Sequence, residues 1–137
     1  MQVSFVVPGE PVPKGRPRFG RGRAYTPEAT RDFAEWVEHH ARVAMRGKEP
    51  LSGPLALSFS AVYPIPSSWS KRRKEAALLL PEWKPTRPDI DNLEKALCDA
   101  CNSIVYRDDG QIVCLRNCTK VWGAEPRLVV VLEELQP

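Results

Sequence analysis

Between Arg87 and Val113 the chain reads RPDIDNLEKALCDACNSIVYRDDGQIV, and this stretch restricts the fold more than any other. It carries six acids (Asp89, Asp91, Glu94, Asp99, Asp108, Asp109) against three bases (Arg87, Lys95, Arg107). Pro88 disfavours helical backbone at Arg87, so the stretch begins extended. Residues two apart in an extended chain share a side, which lets the Asp89 and Asp91 carboxylates converge. Asp91 is a good N-cap, and after it Leu93, Ala96, Leu97, Ala100 and Ile104 recur at helical spacing as one apolar face. Asp91, Lys95, Asp99 and Asn102 fall on the opposite face. The helix must therefore bury one side while presenting a lysine between acids on the other. Asp108 and Asp109 follow in a turn ahead of a strand that starts near Gln111. If that strand packs beside the helix start, Asp109 returns to Asp89 and Asp91.

Several carboxylates around one lysine suit metal-assisted phosphodiester hydrolysis. Oxygen donors select hard cations such as Mg²⁺. Such an ion polarises the phosphate and lowers the pKa of an attacking water. The lysine can orient that water or neutralise charge in the transition state. Each piece also has a plainer reading, because acids near a helix start, a solvated helix face and a polar turn are all ordinary. The flanking charge argues for the chemistry. Residues 10–25 hold five bases and one acid, and residues 68–88 hold six bases and two acids. Each segment carries +4, which leaves −5 for the rest of a chain whose net charge is +3. Basic arms around an acidic centre point to a polyanion held over a metal site. The candidate phosphate contacts are Lys14, Arg16, Arg18, Arg21 and Arg23 in the first arm, and Lys71, Arg72, Arg73 and Lys74 in the second.

The pattern Asp-x-Asp-Asn-Leu-x-Lys, then an Asp, then Asp-Asp-x-Gln-Ile resembles the RusA family of Holliday junction resolvases. Its residues here are Asp89, Asp91, Asn92, Leu93, Lys95, Asp99, Asp108, Asp109, Gln111 and Ile112. Pro-x-x-Lys-Gly-Arg-Pro-Arg at Pro11 to Arg18, with Tyr25-Thr26-Pro27, resembles the phage and prophage branch of that family. The resemblance implies a Mg²⁺-dependent endonuclease, with Mn²⁺ as a substitute, that resolves four-way DNA junctions in recombination and repair. It implies Asp89, Asp91 and Asp109 as metal ligands and Lys95 at the water or scissile phosphate. Either member of Asp108-Asp109 could be the ligand, and the motif favours Asp109. Asp99 reads as a partner of Lys95, its i+4 neighbour. Cys98 and Cys101 inside the helix depart from the pattern but leave its acids intact. No small-molecule cofactor is expected.

At 137 residues the chain reads as one domain, and 42% hydrophobic content supplies a modest core. Gln2 to Val7 alternates, with Val3, Phe5 and Val7 on one face, and reads as the first strand. Pro11 to Tyr25 lacks apolar periodicity and reads as a basic loop that could track phosphates. Thr26-Pro27 is an N-cap followed by an N1 proline. The helix after it should run to about Met45 and bury Phe33, Trp36, Val37, His40 and Ala44. His39 and His40, adjacent on a helix, diverge and make a poor metal pair. Leu55 to Tyr63 is the second strand. A helix from Trp69 to Leu80, capped by Ser67 or Ser68, carries the second basic arm. Ile112 to Val121 is the third strand and Leu128 to Leu132 the fourth, joined as a hairpin through Gly123 to Pro126. The fold class is α+β, a mixed four-stranded sheet with helices on one face in the order β-α-β-α-α-β-β. If the first two strands are parallel neighbours, their crossover is right-handed.

Cys98, Cys101, Cys114 and Cys118 come close to zinc spacing, yet they fall inside a helix and a strand rather than on turns, so core packing is the better reading. There is no signal peptide and no run long enough to cross a membrane, so a cytoplasmic location is expected. Two rivals to junction resolution remain open: a nuclease for flaps or forks, and a branched-DNA-binding protein without catalysis. Two cuts related by a two-fold axis, from a chain with one acidic cluster, call for a homodimer. Its apolar surface could come from Val121, Trp122, Leu128, Val130 and Leu132, or from Trp36.

Overall fold

Leu55–Pro64 (β4) alternates large apolar residues with small ones, and that pattern makes it the middle of the sheet. Leu55, Leu57, Phe59, Ala61 and Tyr63 are buried on one face, and Ala56 and Val62 are buried on the other. A strand this apolar needs partners along both edges. In the structure, a computed structural model, Arg127–Glu134 (β8) pairs antiparallel along one edge, from Leu55↔Glu134 to Val62↔Arg127. Ile112–Leu115 (β6) and Thr119–Gly123 (β7) share the other edge, both parallel to β4. Gln2–Pro8 (β1) lies outside β8, and the two-residue strand Glu82–Trp83 (β5) lies outside β7. The order is β1-β8-β4-β7-β5, with β6 beside β4. Described are residues 1–13, 18–20, 23–25 and 28–136, with side chains for 1–13 and 31–136.

The α+β class holds, but the sheet has six strands rather than four. Three differences have local causes. The expected third strand, Ile112 to Val121, is broken at residues 116–118, where Asn117 adopts φ 49° and the two halves take separate registers on β4. The expected hairpin through Gly123 to Pro126 is absent. β4 lies between β7 and β8, so that short link passes the end of β4. β1 and β4 are likewise not neighbours, because β8 separates them. The basic loop contains a small antiparallel pair of its own, Arg18–Gly20 (β2) and Arg23–Tyr25 (β3).

Glu28–Ala44 (α1) and Ile90–Cys101 (α3) pack on each other, and their buried residues join one core cluster with β1, β4 and β8. α1 contributes Phe33, Val37 and Ala41, with Met45 just beyond its end. Trp36 is not in the core as expected. It is 43% exposed, its indole N–H donates to the Pro8 carbonyl at 2.6 Å, and it stacks on His39 and meets the edge of the half-buried His40. The expected cap at Thr26-Pro27 lies outside the described residues. Lys71–Leu79 (α2) stands apart, contacts β7 and buries Ala77 alone. Its cap is Ser70, whose Oγ accepts from the Arg73 N–H, rather than Ser67 or Ser68. No helix among the described residues is long and apolar enough to cross a membrane.

Candidate active site

The amphipathic pattern folds as a helix as expected, but its cap lies two positions earlier than Asp91. Asp89 is the N-cap of α3, Ile90 is its first residue, and the helix ends at Cys101, short of Ile104. Leu93, Ala96, Leu97, Cys98, Ala100 and Cys101 are buried, so the two cysteines belong to the core face. The outward turn positions hold Asp91, Asn92 and Lys95, all exposed.

The approach to Asp89 is held by two lysines. β5 pairs with β7, and the Lys84 N–H donates to the Lys120 carbonyl, which sets the two residues across from each other. The Lys120 ammonium donates to the Thr86 and Pro88 carbonyls, both at 2.7 Å. The Lys84 ammonium donates to Thr86 Oγ1 at 2.9 Å and to the Arg87 carbonyl. Three consecutive carbonyls ahead of the N-cap therefore face ammonium groups. Burial, and then the charge of Lys120, lower the pKa of Lys84 below the usual lysine range. Nothing in the local sequence of either lysine announces this contact. It exists because the sheet places β5 against β7.

Two hollows flank the start of α3. One, of about 340 Å³, is lined by Asp91, Asn92, Glu94, Lys95, Cys98, Asp109 and Ile112. The other, of about 440 Å³, contains Asp89, with Asn92 again on its wall. Asp91, Lys95 and Asp109 thus come together as the sequence suggests, while Asp89 opens on the far side of Asn92. Starting the helix at Ile90 rotates Asp91 away from Asp89, which a fully extended lead-in would not do. The expected Lys95–Asp99 ion pair does not form, and Lys95 has no ionic partner among the described residues.

Asp109 reaches this hollow through the 3-10 turn Asp109–Gln111. Asp108 caps that turn, its carboxylate accepting from the Gly110 N–H at 2.9 Å. Gln111 Oε1 accepts from the Asp108 and Arg107 N–H groups, and its amide nitrogen donates to the Leu51 and Gly53 carbonyls. The adjacent acids therefore divide their work, Asp108 in the cap and Asp109 in the hollow. Among the described residues the Asp89, Asp91 and Asp109 side chains accept no hydrogen bond and enter no ion pair. Unpaired carboxylate oxygens fit a hard cation in kind. No three His, Cys, Asp or Glu among the described residues form a ready cage.

The sequence profile of the family Endodeoxyribonuclease RusA matches residues 8–133. The chain belongs to the RusA family. It is also 36% identical over 144 residues to an uncharacterized protein, YqaN, of Bacillus subtilis (strain 168), covering 97% of this chain and 96% of that one. In this RusA chain Glu94, Asn92 and Cys98 line the Asp91–Asp109 hollow as well, and the sequence reading gave none of them a place there. Burial pushes the Cys98 thiol up to about 12, so it stays protonated well above neutral pH. Of the second basic arm, Lys71, Arg72 and Lys74 make no ion pair among the described residues. Arg73 is engaged internally. It pairs with Glu82 through two hydrogen bonds, at 2.5 and 3.2 Å, and lies over the Trp69 ring. Lys14, Arg16 and Arg21 lie outside the described residues, as do the side chains of Arg18 and Arg23.

Proposed function

We propose that this RusA-family chain is a Mg²⁺-dependent endonuclease that resolves four-way DNA junctions. The observation that carries this reading is the hollow where Asp91, Asp109 and Lys95 meet with unpaired side chains, in a chain of an endodeoxyribonuclease family. Asp91 and Asp109 would hold the ion, with Asp89 reaching it from across Asn92. When bound, Mg²⁺ or Mn²⁺ polarises the scissile phosphate and lowers the pKa of water. Lys95 then lies where its ammonium can neutralise charge on the phosphate oxygens. Lys71, Arg72 and Lys74 would grip phosphates, and so would Lys14, Arg16, Arg18, Arg21 and Arg23. Arg73 joins only by giving up Glu82.

The substrate's two-fold symmetry calls for two such sites, and we infer a homodimer. Leu128, Val130 and Leu132 cannot form its interface, because all three are core residues. The opposite face of the same strands carries rows of valine and serine, Ser4–Val131–Ser58 and Val6–Val129–Ser60. We assign the pairing to this face.

The test is cleavage of a four-way junction beside a linear duplex of the same sequence, with Mg²⁺ and with chelator. Paired nicks on the junction that require Mg²⁺ are expected. Preference for a flap or fork would move the substrate class. No cleavage of any branched DNA at saturating metal would overturn the enzyme reading.

A further inference from the structure

The larger hollow, on the Asp89 side of Asn92, is more than a cation site needs. Its volume of about 440 Å³ has room for a nucleobase and its sugar. Much of its wall is apolar, made by Pro11, Val12, Pro13 and Pro88 with the buried Tyr63. Three of these are prolines and carry no N–H. Among the described residues the lining sets two carboxylates that repel a phosphate, Glu10 and Asp89, against one guanidinium, Arg87. The same features suit a base. Flat rings pack on apolar walls, and a base edge pairs with an acceptor such as Glu10 and donors such as Arg87 or Asn92.

The hollow is also preformed. The Tyr63 hydroxyl donates to the Pro11 carbonyl at 2.9 Å, which fixes one wall. The Lys84–Lys120 clamp holds the Arg87–Pro88 carbonyls, which fixes the other. Asp89 lines the same space, so a ligand seated there lies beside the carboxylates.

We propose that this hollow is a nucleobase subsite, which receives the base next to the cut phosphate after that base has left the stack. The inference rests on the endonuclease reading and adds a reason for preferring branched DNA. Unstacking a base within a continuous duplex is costly, and it is least costly where the base is already unpaired. At the open branch point of a four-way junction the adjacent base is paired but lacks a coaxial neighbour on one side, so it leaves the stack at lower cost and the hollow converts that into selectivity.

The test uses a junction with a mapped cut, carrying a single abasic nucleotide at each position beside it in turn. Val12→Trp fills the hollow from its wall. Glu10→Ala, at an exposed position outside the core, removes a rim acceptor without filling it. At one position the abasic change should slow the wild-type chain about tenfold, the size of a lost base-stacking contact. Val12→Trp should be slower on the intact junction and lose nothing further on the abasic one. Glu10→Ala should show a smaller loss that the abasic substrate likewise abolishes. A 2-aminopurine at that position should brighten on binding without metal, and less so with Val12→Trp. Abasic effects absent on both sides of the cut, losses that multiply in both variants, or a quenched 2-aminopurine would overturn the subsite. A chain that cuts junctions yet ignores the missing base keeps its nuclease reading and loses this inference. A chain that cuts no branched DNA loses both.

Discussion

The starts of α3 and α2 are both dense in charge, and the protein builds them in opposite ways. At α3 the charges are acids at a helix N-terminus, where the helix dipole favours them. The helix buries six residues, and two lysines grip the carbonyls ahead of it. At α2 the charges are Lys71, Arg72, Arg73 and Lys74, bases placed where the dipole disfavours them. That helix buries one alanine, and an exposed Arg73–Glu82 pair, of a kind that contributes little, ties it down. The contrast separates two tasks. Reacting groups must be held in place by a packed and hydrogen-bonded surround. Phosphate contacts position a duplex through charge and tolerate looser placement. Bases stacked at an unfavourable helix end gain most when a polyanion arrives.

The sharpest way to break this contrast is to change the acids. Asp91→Asn and Asp109→Asn should each lower Mg²⁺-dependent junction cleavage by roughly 100-fold or more. Binding in gel shift should persist or tighten as negative charge is lost. Near-normal turnover in either variant would remove that residue from the site.

The next effect belongs to α2. Replacing Lys71, Arg72 and Lys74 together with alanine should weaken junction binding for every sequence. It should reduce the slope of log K against log salt by about one unit per lost phosphate contact. The melting temperature should hardly move, since these side chains are peripheral. An unchanged salt slope would mean that α2 is merely solvated.

Smaller, and on the α3 side again, Lys120→Met removes both hydrogen bonds to the Thr86 and Pro88 carbonyls. It should cost about 1–3 kcal/mol of stability in a denaturant melt. The Mg²⁺ concentration for half-maximal cleavage should rise, with partial recovery in Lys120→Arg. A change in DNA affinity alone would place Lys120 among the phosphate contacts instead.

The smallest expected change is at Gly110, where an added Cβ would meet Asp108 Oδ2 at 2.7 Å. Gly110→Ala should displace that carboxylate from its cap and cost about 0.5–1 kcal/mol. Cleavage should fall modestly, because Asp109 is the next residue. No change in either measurement would show that the turn is held by Gln111 without the cap.

How far the sequence could be read depends on the range of the interaction. β1 alternates as expected, with Val3, Phe5 and Val7 inward, because packing one face alone into the core imposes period two. The apolar face of α3 was legible for the equivalent reason. The break at Asn117 was not read, although Arg116-Asn117 interrupts the apolar run Ile112–Leu115 and asparagine tolerates a positive φ. The placement of β4 between β7 and β8 was hidden because a short link normally joins adjacent strands. Within the site, Asp91, Lys95 and Asp109 could be grouped from spacing. Asp89 was grouped with them, and it lines the neighbouring hollow, because the helix is capped two residues earlier than Asp91 and its first turn carries Asp91 away from Asp89. The Lys84–Lys120 clamp is a purely tertiary contact, and neither lysine lies in a periodic pattern that would single it out.

The position of β8 has a consequence for the chain during its synthesis. It is made after both β1 and β4, yet it lies between them. Until Arg127–Glu134 has left the ribosome, β1 has no neighbour in the sheet and the inner edge of β4 is bare. Domains otherwise tend to consolidate from the N-terminus as they emerge. Here the core cannot close early. The platform beneath α1 and α3 is completed only once residues 127–134 have emerged, so before then a nascent copy has no finished surface on which to mount its acids.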